Sequence, residues 1–206
     1  MAKRRGRPPG TSGRAAVLSA PQVRQVFRVA RTRSRHSARA EATLAISLGL
    51  GLRAKELTSL TWEDVYDAKG HVRSVLHLRA AYTKGGRTRD VFLSSPTLRR
   101  ALAKYGESRW LLGTKASHAP LFPSQKGGPM TPASMARFIK ALYREAGISG
   151  ASSHSGRRTL ITRLAERGID LKAIAEIAGH SSIRTTAVYV EANPRRLARI
   201  LQDVTW

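Results

Sequence analysis

The sequence predicts a mainly α-helical domain carrying one small antiparallel β-sheet. Three observations lead there. Apolar residues recur at helical spacing along most of the chain; β-favouring residues flank a single turn signal, "KGGR", between 71 and 93; and 206 residues that are 41% hydrophobic suffice for one substantial core but are short for two.

The elements follow in order. Residues 20–34 ("APQVRQVFRVARTRS") set Val23, Val26, Phe27, Val29 and Ala30 near helical spacing, and residues 38–50 ("ARAEATLAISLGL") read as a second, buried helix. "GLRAKELTSLTWEDV" begins with a glycine-marked turn and continues as a helix from about Arg53 to Leu60, with Glu56 and Leu57 one turn on. Residues 71–93 form a hairpin or small meander. Beyond it the chain is mainly helical, at about 95–105, 131–146, 156–167, 170–178, 182–190 and 195–203, interrupted by a loop at 113–131 rich in Gly, Pro and Ser. There is no internal repeat.

The charge balance is extreme. Thirty-seven basic residues stand against 13 acidic ones, a formal charge of +24, and 28 of the cations are Arg, whose forked guanidinium suits phosphate oxygens. A polyanion is the expected partner, with nucleic acid favoured over membrane: no run approaches the roughly 20 apolar residues of a spanning helix, and the N-terminus lacks the apolar stretch of a signal peptide. The chain therefore reads as cytoplasmic and associated with the nucleoid. It contains no cysteine, which excludes disulfides and thiolate chemistry. Six scattered histidines without metal-ligand pairing point to no metal site, and no cofactor is expected.

Residues 1–19 hold basic residues, Gly, Pro and small polar residues with almost no bulky apolar side chain, so they are expected to form a disordered basic arm ahead of a folded domain at 20–206. Within the arm, Arg5-Gly6-Arg7-Pro8 resembles the AT-hook core, which lays an extended backbone in an A·T-rich minor groove with an arginine on each side. A nonspecific electrostatic tail fits the same residues. The first 50 residues carry eleven basic residues and one acid, Glu41.

Four separated features carry the chemistry, each with an ordinary reading beside the functional one. Arg53 could be a plain surface arginine, but it opens a helix just after a glycine turn, with Glu56 a turn away to orient it. Lys84 in "YTKGGRTRDV" could be a solvated turn lysine, or an ammonium on a hairpin that reaches a leaving group; Arg87 on the same turn is a further candidate for DNA contact. His154 and Arg157 stand three apart at a helix start, where free backbone N–H groups and the positive end of the helix dipole favour an anion. Last, "HSSIRTTAVY" runs from His180 to Tyr189, and alone it would suggest only a packed aromatic.

Together "GLRAKEL", "TKGGRTRDVFL", "HSGRRTLITRLAERGIDLKAIAEIAGH" and "HSSIRTTAVY" resemble, in order and separation, the signature of the tyrosine recombinases, or phage-integrase family: Arg, Lys, His-x-x-Arg, His and a nucleophilic Tyr. The resemblance extends from about residue 20 to about 200 and implies that family's catalytic-domain fold. It implies Arg53, Lys84, His154, Arg157, His180 and Tyr189 as catalytic residues, with Glu56 supporting Arg53. Arg158 stands where many members carry a second histidine, in a supporting role. The short stretch before the first helix is similar to the fimbrial-switch recombinases, which are almost wholly catalytic domain.

The activity so implied is site-specific cleavage and rejoining of DNA through a 3′-phosphotyrosyl intermediate, without ATP or metal. The implied partners are double-stranded DNA at recombination sites, a homotetramer assembled on it, and accessory DNA-bending proteins. The segment after Tyr189, with Leu197, Ile200, Leu201 and Val204 on one face, would dock on its own domain or on a neighbour's. Three other readings compete. Residues 163–190 superficially look like the helix-turn-helix of a non-catalytic DNA-binding regulator; a type IB topoisomerase uses similar chemistry; and an inactive recombinase relative could serve as an accessory factor.

Overall fold

The computed structural model describes residues 15–83, 86–110 and 118–188. The chain opens with an extended segment at 15–19 and then helix α1 (Ala20–Thr32), which starts where Ser19 Oγ accepts from the Gln22 amide and Gln22 Oε1 accepts from the Ser19 amide at 2.9 Å. This reciprocal pairing satisfies two amides that a helix start leaves without partners. The stripe Val23, Val26, Phe27 and Ala30 faces inward, as its spacing predicts.

Helix α2 (Ser37–Gly49) is the hub, packing against α1, α5 (Pro96–Trp110), α6 (Pro132–Glu145) and α7 (Ser155–Glu166). Its sequence explains this place: Ala40, Ala42, Leu44, Ala45 and Ile46 are apolar around the whole helix, so every side must be covered. Its alanines also admit close neighbours. At Gly156 of α7 a Cβ would lie 2.7 Å from the Ser47 carbonyl oxygen, so the α2–α7 crossing is built on a glycine.

Between these helices lie α3 (Ala54–Ser59), α4 (Trp62–Val65) and a two-stranded antiparallel sheet. Strand β1 (Val75–Leu78) pairs with β2 (Arg89–Phe92) in the register Leu76↔Val91 and Leu78↔Arg89, and Leu76, Leu78 and Val91 face the core. A single 3-10 turn, Ala80–Tyr82, leads out of β1. Helices α8 (Leu171–Ala178) and α9 (Ile183–Ala187) finish the described fold. Asp170 Oδ1 caps α8 by accepting from the Lys172 and Ala173 amides, and Gly179, at φ +63°, ends it in the left-handed conformation that glycine tolerates best. Ile161 and Ala165 of α7 with Ile174 and Ala178 of α8 make a small second core beside the main one.

Mainly helical with one small sheet is therefore the architecture observed. Two details differ from the sequence expectation. The stretch after Leu60 forms the extra one-turn helix α4, begun where Asp64 Oδ2 accepts from the Thr61 amide and hydroxyl at 2.8 and 2.9 Å, with Trp62 buried. The end of the basic arm is also not free: Leu18 is 2% exposed, its amide donates to Thr159 Oγ1 at 2.9 Å, and the Ala16 amide donates to the Gly150 carbonyl. One buried leucine, the Thr159 and Arg158 side chains of α7 and the Gly150 carbonyl hold residues 15–19, so the folded domain begins before residue 20.

Candidate active site

Four chain segments meet at a cleft of about 520 Å³ lined by Ala15, Arg53, His154, Arg157, Arg158, His180, Arg184, Thr185 and Val188. Of the residues singled out in the sequence, the fold brings Arg53, His154, Arg157, Arg158 and His180 to this one place, across more than 120 positions of chain. Among these lining residues there are four arginines and two histidines and no carboxylate. Such a cleft attracts an anion.

Each cation is held by a specific device. Gly51, at φ +64°, turns the chain so that Arg53 directly precedes α3. The fully buried Glu56 then accepts from the Arg53 amide (2.7 Å, Oε2) and from Arg53 Nη1 (3.1 Å, Oε1), so one carboxylate fixes both ends of the residue. The expectation that Glu56 orients Arg53 describes this contact.

Arg157 lies in the first turn of α7 and is 5% exposed. Its Nη1 donates to the Gly51 carbonyl at 2.9 Å and its Nη2 to the Ala178 carbonyl, so it spans the main core and the small second core. Losing it would take the donor from the Gly51 carbonyl, at a cost of roughly 1–3 kcal/mol, while the Ala178 carbonyl would keep Arg89 Nη1. His154 stands at the N-cap of the same helix, exposed on the cleft wall. Arg158 turns the other way along the wall, and its Nη1 donates to the Ala15 carbonyl at 2.8 Å. It thus anchors the segment that leads in from the basic arm.

His180 follows the glycine that ends α8, and its amide donates back to the Ala175 carbonyl at 2.9 Å. Its Nδ1 is 2.8 Å from the hydroxyl of the buried Thr186 on α9. Burial first, and then the cations of Arg157, Arg53 and Arg89, push its pKa down to about 4. The ring is neutral at physiological pH. Helix α9 brings Arg184, Thr185 and Val188 to the cleft lining, immediately before Tyr189.

Lys84, Tyr189, Arg5 and Arg7 lie outside the described residues, as does the apolar face at 197–204. Next to Lys84, Thr83 Oγ1 donates to the Arg87 carbonyl (2.8 Å) and accepts from its amide (3.1 Å), which ties the two described ends of the turn; Arg87 itself is exposed. Sequence reasoning missed two residues. Arg184 lines the cleft, and Arg89 lies behind it, with its side chain 12% exposed and 3.4 Å from Glu56. The signal for Arg89 was its phase: on a strand it shares a face with Val91, which is buried. Among the described residues no group of three His, Asp or Glu side chains is placed to hold a metal ion, and no helix is long and apolar enough to cross a membrane.

The model of the phage integrase family matches residues 16–196, which include every residue lining the cleft except Ala15. The chain belongs to that family. Among its relatives, a tyrosine recombinase XerC of Pelobacter propionicus is 36% identical over 163 residues, covering 79% of this chain and 50% of the relative. The crystal structure of a XerA recombinase superimposes with a TM-score of 0.72 at 25% identity, over 97% of this chain and 68% of that one. A XerH site-specific recombinase bound to a palindromic difH substrate has a TM-score of 0.71 at 22% identity over 92% of this chain and 53% of its own, a likeness of fold. The chain spans about half the length of the curated relatives it matches. Membership in the phage integrase family accounts for the mainly helical fold with its small sheet, and a non-catalytic helix-turn-helix regulator finds no support among these relatives.

Proposed function

We propose that this phage-integrase-family chain cleaves and rejoins DNA at specific sites by transesterification, with Tyr189 as nucleophile. The observation that carries the reading is the single cleft in which Arg53, His154, Arg157 and His180 converge, with α9 leading directly to Tyr189. A DNA phosphodiester is an anion that repels nucleophiles, and attack concentrates negative charge on its non-bridging oxygens. Arg53 and Arg157, each fixed before substrate arrives, would stabilise that growing charge, and one such preorganised donor is typically worth about 2.7–4 kcal/mol.

His180 fits the same role as a neutral hydrogen-bond donor. A Thr186 hydroxyl donating to Nδ1 would leave the ring proton on Nε2, to be offered to a phosphate oxygen. His154, on the open wall, would take the phenolic proton of Tyr189, whose ordinary pKa of about 10 keeps it protonated at neutral pH. The Tyr189 oxygen then bonds to phosphorus, the bond to the 5′-oxygen breaks, and Lys84 supplies the proton that the 5′-oxygen takes. The resulting 3′-phosphotyrosyl ester conserves the energy of the original bond, so the reverse attack by a 5′-hydroxyl rejoins a strand without ATP or metal.

Glu56 and Arg158 act behind these residues, one holding Arg53 and the other the incoming segment. Arg5, Arg7 and Arg87 would add contacts to DNA, with the arm supplying much of the salt-dependent affinity. Exchange between two duplexes needs four such sites, hence a homotetramer on DNA, aided by proteins that bend it. The enzyme would work in the cytoplasm, at the nucleoid.

The test uses the full chain and DNA carrying its recombination site, found from the inverted repeats or attachment site beside its gene, with a nick that releases a short piece on cleavage. A covalent protein–DNA band that survives denaturation, present for the wild type and absent for Tyr189→Phe, is the expected result. No band, or an equal band for both, would overturn the assignment and leave a DNA-binding role.

A further inference from the structure

Arg89 has no part in the reaction just described, yet it is built in directly behind the cleft, against Glu56 and the end of α8. Its side chain crosses from β2 to the C-terminal end of α8, where Nη1 donates to the Ala178 carbonyl at 3.1 Å and the guanidinium lies 3.4 Å from Glu56 Oε1 and 3.5 Å from Oε2. Room for it exists because residue 179 is glycine: a Cβ there would lie 2.7 Å from Arg89 Cζ. Both of its acceptors are shared. Glu56 also holds Arg53, and the Ala178 carbonyl also holds Arg157. One guanidinium therefore touches the two anchors of the two proposed phosphate-binding arginines, and it belongs to the strand that leads back to Lys84.

Stability alone does not account for an arginine here. Placing a third guanidinium beside Arg53 and Arg157 in a nearly dry site carries a desolvation cost, and an apolar residue of similar volume often serves a core as well or better. Its strand partner across the sheet, Leu78, is such a residue and is buried.

We propose that Arg89 is a positioning residue that couples the β-hairpin to the phosphate clamp, fixing Glu56 and the end of α8 and, through them, Arg53, Arg157 and His180. The inference rests on the cleft being the DNA-cleaving site proposed above. Arg89 sets the distance between the hairpin turn and the clamp, so a hairpin displaced from the cleft would leave Glu56 and Ala178 short of a donor and loosen both clamp arginines together.

The test compares wild type, Arg89→Met and Arg89→Lys as full chains. On the nicked site DNA under single turnover, Arg89→Met is expected to lose roughly 10- to 100-fold in cleavage rate, the scale of a small misplacement of catalytic groups, with DNA affinity within about twofold of wild type and Arg89→Lys recovering part of the rate. Without DNA, the His180 ring protons followed by NMR should titrate at higher pH in Arg89→Met, because one of the three cations around the ring is gone, and stay low in Arg89→Lys. Should Arg89→Met not fold, Arg89→Lys decides: a rate below wild type at unchanged affinity supports the coupling. A rate within twofold of wild type in the folded variant, or a loss confined to DNA affinity, would overturn it. If the wild type itself cleaves nothing, the proposed function fails, and an unshifted His180 titration in Arg89→Met would then overturn the positioning role separately.

Discussion

Two arginine-rich regions of this molecule use the same side chain under opposite physics. On the outer face of α1, Arg24 and Arg28 are exposed a turn apart, and Arg28 Nη1 donates to Gln25 Oε1 on the same helix at 3.2 Å. At the cleft and directly behind it, Arg53, Arg157 and Arg89 are drawn into the protein and tied to one carboxylate and two backbone carbonyls. Charges of the first kind are screened within about 10 Å at ordinary salt and attract any polyanion. Those of the second kind are paid for in desolvation, and what they offer in return is fixed direction. Under the proposed function the chain would separate two tasks for its +24 charge: gathering DNA, and aiming at one phosphate.

The most damaging way to blur this distinction is to remove the shared carboxylate. Glu56→Gln leaves Arg53 and Arg89 facing each other without an anion, and we expect a loss of about 3 kcal/mol in stability, read from urea denaturation, as for other broken buried ion pairs. An unchanged midpoint would mean that water already screens the cluster. Next, Gly156→Ala should cost about 1–3 kcal/mol by forcing α7 away from the Ser47 backbone, an overpacking effect, and because Arg157 follows directly, it should also slow cleavage.

A smaller effect concerns pH. The folded state keeps His180 neutral down to about pH 4, whereas the unfolded chain protonates it near 6.5. Between those values the unfolded state binds more protons, so this histidine makes stability rise with pH across that window and fall on acidification. Comparing denaturation midpoints at pH 7 and pH 5, His180→Gln should lose less stability than wild type on acidification. An equal loss would show that the cations do not govern the ring. The smallest effect is expected on α1: Arg24→Ala with Arg28→Ala should leave stability within about 0.5 kcal/mol and the cleavage rate of bound DNA unchanged, while reducing the salt slope of DNA affinity by up to about 2.

Much of this organisation is legible in the sequence, and where it is not the reasons are physical. Periodicity finds α1, α2 and α5 to α9 because their apolar faces repeat with the helix itself. It does not find α4, a single turn whose formation depends on burying Trp62 and on the Thr61–Asp64 contact. Composition assigns residues 15–19 to a disordered arm because it counts only two large apolar side chains there; one of them, Leu18, is buried, and Thr159 and Arg158 collect the backbone polar groups around it. The cleft residues Arg53, His154, Arg157 and His180 are legible through their spacing. Arg89 is not, since its importance lies in acceptors supplied by α3 and α8, more than 30 positions away on one side and almost 90 on the other.

The claim at the centre of this account is that the held arginines Arg53 and Arg157 act on the charge of the scissile phosphate. The most direct measurement replaces that phosphate with a methylphosphonate, which lacks one anionic oxygen, and compares single-turnover cleavage by wild type and Arg53→Ala. On ordinary DNA, Arg53→Ala should be slower by roughly 100-fold or more, as for loss of one preorganised donor. On the neutral substrate most of that deficit should vanish, because the charge that Arg53 stabilises is no longer there. The same deficit on both substrates would contradict the claim and reduce Arg53 to a structural residue.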